Sequence, residues 1–356
     1  MSYDRAKLER ALTIGRLARW LGPWTPAHRR PSGVTRRRVV VEGRFDAWVY
    51  RKAAEPRGAL LVLPGLHYLG PADPRLDRFL AILADAGLLV LSPFLPELRA
   101  LGVGPSVVTD ALAAFDALAA LPDAPRGVRP GVFSISFGSF PAVHVAAARD
   151  VGHALLFGGY ASFEDAIRFS LEGNPNRPHD PLNRPVVFLV LFDHLDGLPR
   201  DRERLRSAWI EYVRRTWGRP EMKERAAFEP LARAIAARLP DDARELFLVG
   251  TGVLEGGPAR ITAALERGKR DLAHLDPRLA CRAIRAPVTI VHGRDDDVIP
   301  YTHAAMLAEH IPHARVFLTG LYAHTGLSAF DPRSLTSEAS TLVGILSAMI
   351  DAGGTP

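Results

Sequence analysis

The chain is poor in cysteine, in lysine and in long apolar runs, and each shortage excludes something. Cys281 is the single cysteine among 356 residues, so no intramolecular disulfide and no thiolate metal cluster can form. That suits a reducing compartment, and the cytoplasm is the expected location. No stretch reaches the roughly 18 apolar residues that a membrane span needs; the longest strongly apolar run, Val186 to Phe192, stops well short. The first twenty residues carry charge throughout, with no apolar h-region and no small-residue cleavage site. Of 45 basic residues only Lys7, Lys52, Lys223 and Lys269 are lysines, and 39 acidic residues oppose them, for a net charge of +6. The densest basic runs, Arg29-Arg30 and Arg36-Arg37-Arg38, lack interleaved aromatics and a reader motif. They read as a solvated basic edge, and no nucleic-acid partner is expected. There is no Walker A sequence and no His-Glu-x-x-His. Gly250-Thr-Gly252-Val-Leu-Glu255-Gly256 has its third glycine one position late for a dinucleotide loop. Asp193-His194-Leu195-Asp196 has no partner cluster and reads as a polar helix end. Neither a cofactor nor a metal is expected.

What remains is the composition of a globular protein, 47% hydrophobic and 24% charged, long enough for one large α/β domain with an insertion. Residues 4–21 read as a helix ended by Gly22-Pro23, followed by a Pro- and Arg-rich linker to about residue 36. Strand-like segments follow at Arg38–Val41 and Ala47–Tyr50. Ala59–Leu63 and Leu88–Leu91 look like strands buried on both faces. Helical periods at Leu76–Ala86, Val107–Leu121 and Gly138–Arg149 alternate with strands at Gly131–Ser134 and Ala154–Phe157. Such alternation predicts a mostly parallel sheet covered on both faces. From about Ser162 to Leu275 the pattern turns helical, and Leu205, Trp209, Val213 and Trp217 recur every four residues as one apolar stripe. Strands return at Val288–Val291 and Ala314–Leu318, and a helix closes the chain from about Leu335 to Ile350. The expected organisation is an N-terminal helix and linker at 1–36, a sheet domain at 37–161 and 276–356, and a helical cap insertion at 162–275.

The sharpest local signal is Gly131-Val-Phe-Ser134-Ile-Ser136-Phe-Gly138-Ser139. A nucleophile on a strained strand-to-helix turn needs small residues two positions to either side. Ser136 has Ser134 and Gly138 there. Ser134 fits worse, because Val132 falls where a small residue is required. A serine hydroxyl needs a base, and the base an orienting acid. After the strand Val288–Val291 comes the carboxylate-rich loop His292-Gly293-Arg294-Asp295-Asp296-Asp297-Val298-Ile299-Pro300. After the strand Ala314–Leu318 comes Gly320-Leu-Tyr-Ala-His324-Thr-Gly326. Both lie beyond the carboxyl ends of strands, where open α/β sheets gather their functional groups. His67 reads as an exposed loop residue, and His303 and His310 as one face of a helix.

Most of residues 37–160 and 276–352 resembles the α/β-hydrolase superfamily of serine hydrolases. The resemblance is carried by the Ser136 elbow, by a Gly-x-x-Asp-x-x-Ile-Pro loop whose register selects Asp296 over Asp295 and Asp297, and by His324. It implies an α/β-hydrolase fold with a helical cap, Ser136 as nucleophile, His324 as base and Asp296 as the acid. It also implies an oxyanion hole from the backbone N–H of Phe137 and, in the Pro64-Gly65-Leu66-His67 loop, that of Leu66. Here Pro64 stands where the family more often has His, and Ser134 and Ser139 stand for commoner glycines. The expected activity is hydrolysis of a small-molecule ester or thioester through an acyl-enzyme. An acyltransferase using the same triad, or a non-catalytic binding protein on this fold, are the alternatives.

Overall fold

The computed structural model describes residues 2–22, 24–173, 179–320, 322–323, 326–327 and 332–354. Its centre is an eight-stranded sheet: β1 (Val34–Val41), β2 (Phe45–Lys52), β3 (Gly58–Leu63), β4 (Leu88–Pro93), β5 (Gly131–Ile135), β6 (Ala154–Phe157), β7 (Val288–Gly293) and β8 (Ala314–Thr319). The spatial order is β1-β2-β4-β3-β5-β6-β7-β8. Only β2 runs against the rest: it pairs antiparallel with both β1 and β4, and every other pairing is parallel. β3, β4 and β7 are buried at every position, which is why their sequences are nearly unbroken apolar runs.

Two hydrophobic clusters cover the two faces. One joins Leu61, Leu63 and Leu91 to the helices Ser106–Ala119 and Ser139–Ala148. The other joins Leu60, Val62 and Val90 to Pro74–Asp85, the C-terminal helix Pro332–Ala352 and the N-terminal helix Ser2–Leu21. Leu17 is buried in that second cluster, and Arg10 pairs with Asp351 at 2.6 Å. The helix expected at 4–21 is thereby fastened to the sheet domain. Cys281 is fully buried, which pushes its thiol pKa up to about 12 and leaves it unreactive at neutral pH.

The arginine run lies on the edge strand β1 and is paired: Arg36 with Asp77 at 2.9 Å, Arg37 with Asp123 at 3.3 Å and Arg38 with Asp46 at 2.7 Å. Charge on an exposed edge discourages strand addition by another chain. Asp77 also accepts from the Tyr50 hydroxyl at 2.6 Å. The basic edge is thus a set of ion pairs.

Between β6 and β7 the described elements are all helical, including Phe163–Glu172, Arg184–Val190, Arg202–Thr216, Arg225–Ala236, Asp241–Gly250 and Gly257–Gly268. Leu205, Trp209 and Val213 are buried as their spacing predicts, and Trp209 packs on Phe188 and Phe247. Trp217 departs from the stripe. The helix ends at Thr216, Trp217 caps it in an extended conformation, and Gly218 at φ 73° with Pro220 beyond prevents continuation. Among the described residues, no helix is long and apolar enough to cross a membrane.

His303, expected as a helix-face residue without function, ties this helical region to the sheet. Its Nδ1 accepts from the backbone N–H groups of Ala161, at 3.1 Å, and Ser162, at 3.4 Å. It is buried, and desolvation, with His292 nearby, pushes its pKa down to about 4. The unfolded chain binds this proton near the ordinary value of about 6.5. Stability is therefore complete above that value and is lost as pH falls toward the folded pKa. The loss amounts to about 3 kcal/mol between roughly pH 7 and pH 4. Urea denaturation across that range should show a His303→Gln protein losing less stability than the parent by about that amount, whatever its stability at neutral pH.

Candidate active site

The chain leaves β3 toward β4 on one side, while β5 pairs on the other. The strand order therefore switches direction at β3, and a crevice opens beyond the carboxyl ends of β3 and β5. The register pairs Leu63 with Ser134, so the turn after β3 and the turn after β5 face each other across that crevice. Ser136 stands in the second turn with φ 54°, followed by the short 3₁₀ turn Ser136–Gly138 and the helix Ser139–Ala148. A left-handed backbone at a serine costs on the order of 1 kcal/mol. It turns the side chain out of the strand and onto the crevice. Ser134 is wholly buried within β5 and does not reach it.

The crowding that holds this turn is visible at two glycines. A Cβ on Gly138 would lie 2.6 Å from the carbonyl oxygen of Pro64 and 2.7 Å from that of Leu63. One on Gly65 would lie 3.2 Å from both the Ile135 oxygen and the Ser136 Cβ. The loop Pro64–His67 therefore lies against Ser136, and Leu66 and Phe137 line the same cavity as the serine.

The carboxylate loop after β7 separates its three aspartates by environment. Asp295 is exposed. Asp297 accepts from the Lys223 ammonium at 2.9 Å. Asp296 is 2% exposed, and its Oδ1 accepts from the backbone N–H groups of Val298, at 2.9 Å, and Ile299, at 2.8 Å. Val298 and Ile299 themselves line the cavity, so Asp296 sits directly behind its wall. His292, fully buried at the end of β7, brings Nε2 to 2.9 Å from the Ile299 oxygen and 3.3 Å from Asp296 Oδ2. With a carbonyl and a carboxylate as neighbours, Nε2 carries the proton. The sequence had offered no role for His292. Its only signal was its place between a buried strand and Gly293. His324 lies outside the described residues.

The cavity over Ser136 has a volume of about 690 Å³, within the usual range for small-molecule sites. One arm runs under the helical region, between Tyr160, Ile167, Val186, Val187 and Val190. The other runs to the opposite face of the sheet, where Phe79, Phe133, Met349 and Leu21 of the N-terminal helix line it. His67 is not the exposed loop residue expected. Its ring stacks between Tyr68, at 4.6 Å, and Trp217, at 5.3 Å, and its Nδ1 accepts from the Leu69 N–H. Burial holds this imidazole below its ordinary pKa. The rings tie the loop after β3 to the helical region, a contact set by the helix stop at Gly218.

Replacing Gly138 by alanine forces its methyl against two backbone carbonyls that cannot turn aside. We expect Gly138→Ala to lower stability by roughly 1–3 kcal/mol, read by urea denaturation.

No family model matches the chain. The pimeloyl-(acyl-carrier protein) methyl ester esterase of Nitrosomonas europaea is 32% identical over 90 residues, which are 25% of this chain and 34% of that protein. The chain thus matches about a third of the length of this curated relative. Among solved structures, an esterase of Pyrococcus furiosus aligns over 94% of this chain and 96% of its own with 12% identity and a TM-score of 0.47. A serine hydrolase from Cycloclasticus zankles aligns over 90% of this chain and 98% of its own with 15% identity and a TM-score of 0.44. With its strand order, the single reversed strand β2, the serine turn after β5 and the helical insertion after β6, the chain has the α/β-hydrolase fold.

Proposed function

We propose that the protein is a serine hydrolase that cleaves carboxylic esters or thioesters, with Ser136 as nucleophile, His324 as base and Asp296 as the acid that orients the base. The observation that carries this reading is Ser136 itself: a serine at φ 54°, between strand and helix, opening onto an apolar cavity. A left-handed serine costs stability, and such strain is concentrated at functional sites. Asp296 supports it by being buried and held by two backbone N–H groups beside that cavity. An esterase name in a relative that shares a quarter of this chain agrees with it. The role of His324 rests on its place in the sequence.

In this mechanism the Ser136 hydroxyl gives its proton to His324 as Oγ bonds to the substrate carbonyl carbon. The carbonyl π-pair moves to oxygen, and the N–H groups of Phe137 and Leu66 receive that oxyanion. Its collapse breaks the bond to the alcohol or thiol, which leaves with the proton from His324. Water then repeats the attack on the acyl-enzyme and releases the acid and Ser136. We further propose that residues 162–275 act as a cap on a sheet domain of 37–161 and 276–356. The cavity arm beneath Val186, Val187 and Val190 would then hold apolar substrate groups.

A fluorophosphonate probe and a p-nitrophenyl ester should find the wild-type protein reactive and Ser136→Ala silent, with turnover reduced by roughly a million-fold where a serine nucleophile is removed. Labelling of Ser136→Ala at the wild-type rate would refute the assignment. The three aspartates give a second test. Asp296→Asn should lower kcat by on the order of 10⁴. Asp295→Asn and Asp297→Asn should stay close to wild type, because one carboxylate is solvated and the other faces Lys223.

A further inference from the structure

The cavity is largely apolar, but its wall carries charge where it reaches the surface. Among the described residues the charged side chains on that wall, besides His67, are Asp73, Arg75, Asp180, Arg219 and Lys223. Asp73 is held by Arg75, whose Nε and Nη2 donate to its two oxygens at 3.1 and 3.0 Å. Asp180 is held by Lys223 at 2.8 Å, and the same ammonium takes Asp297 at 2.9 Å. Arg219 remains. It is exposed, and its side chain has neither a hydrogen-bond nor an ion-pair partner among the described residues. Glu221, two residues on, does not line the cavity. The Arg219 backbone is fixed: its N–H donates to the Thr216 carbonyl at 3.2 Å, and its carbonyl accepts from Met222 at 2.9 Å. The free guanidinium is therefore tethered at the cavity wall.

Other guanidinium groups border the same place. A Cβ on Gly218, next to Arg219, would lie 3.6 Å from Arg75 Nη2 and 4.0 Å from Arg75 Nη1. Arg75 of the helix Pro74–Asp85 thus meets the helical region beside Arg219. Arg214 lies 5.9 Å from the centre of the Tyr68 ring, and Tyr68 stacks on His67, which stacks on Trp217. Glu211, one turn before Arg214, is taken by Arg215 and Arg238. The ring stack is bordered by Arg75, Arg214 and Arg219, and among the described residues only Arg75 has a carboxylate partner. A charge beside low-dielectric walls acts more strongly than one in open water. The anion that matches is a carboxylate. One guanidinium on the wall is unanswered, and its planar fork fits two carboxylate oxygens. A second negative charge, as on a phosphate dianion, would meet Asp73 and Asp180.

We propose that Arg219 is a specificity-determining residue that receives a carboxylate at the end of the substrate remote from the scissile ester, with Arg75 and Arg214 adding to the field. The preferred substrate is then an ester or thioester with an apolar chain between the scissile bond and a free carboxylate. This rests on the proposed hydrolase activity for its reaction but not for the contact itself.

The test varies the distance between ester and carboxylate. On the acyl side the probes are mono-p-nitrophenyl esters of dicarboxylic acids from adipate to sebacate; on the alcohol side they are acetates of ω-hydroxy acids, read by acetate release. Each is compared with the compound whose carboxylate is capped as a methyl ester. An apolar cavity without a cation rejects the charged member at every length, so the ratio of kcat/KM, charged over capped, stays below one. With Arg219 engaged, the ratio should exceed one at some length by roughly five- to ten-fold and should shrink as salt is added. It should fall below one in Arg219→Gln, fall further in Arg219→Glu, and survive in part in Arg219→Lys. An exposed side chain without partners is changed at little cost in stability, and ratios within one protein are insensitive to its overall activity. A ratio below one throughout both series in the wild type, or a peak that persists in Arg219→Gln and Arg219→Glu, overturns the proposal. The same series read as equilibrium affinity on Ser136→Ala tests the contact without turnover. A protein that hydrolyses none of the esters but prefers the charged member in affinity would refute the hydrolase reading alone. Normal hydrolysis without that preference would refute only the role of Arg219.

Discussion

The turn after β3 and the turn after β5 come so close that Gly138 has no room for a side chain, and one at Gly65 would press on its neighbours. The rest of the site depends on this contact. Parallel neighbours in a sheet end at the same level, so their connecting turns compete for the space above the sheet. Here the competition is resolved by omitting two side chains. The backbone carbonyls of Leu63 and Pro64 press on Gly138, and Ser136 takes up the left-handed conformation that lifts its hydroxyl clear. Core packing on both faces of β3 and β5 holds the strands that enforce it.

A second layer of order surrounds that contact. His67, Trp217 and Asn183 form a chain from the loop after β3 into the helical region, by ring stacking at 5.3 Å and then a hydrogen bond at 3.0 Å. His303 fastens the start of the helical region through two backbone N–H groups, and His292 supports the loop that carries Asp296. His292 and His303 are buried among backbone donors and acceptors, and His67 is partly buried between rings. For His67 and His303 desolvation favours the neutral ring, so acid should loosen the joints between helical region and sheet before it reaches the sheet core.

The cavity beside Ser136 is built by more than the helical region. Its apolar walls come from both faces of the sheet, including Leu21 of a helix that precedes the first strand. Apolar walls discriminate weakly, by chain length and bulk.

The strands were legible in the sequence because a strand covered on both faces must be apolar throughout, as in Ala59–Leu63 and Val288–Val291. That the sheet is mostly parallel followed from their alternation with helices. Ser136 could be singled out because the turn tolerates only small residues at Ser134 and Gly138. Leu66 and Phe137, named from the same motifs, share its cavity, while His324 lies outside the described residues. Other features were decided only by the tertiary structure. Four-residue spacing put Trp217 on a helical stripe, yet the helix stops one residue earlier and the indole serves Asn183 instead. His67 looked exposed because a sequence does not show which rings will stack on it. Asp296 differs from Asp295 and Asp297 by burial and by two backbone hydrogen bonds, neither of which its side chain encodes. Periodicity and steric size act along the chain and can be read there. Burial, stacking and unsatisfied donors arise between segments far apart in sequence, and exist only once the chain has folded.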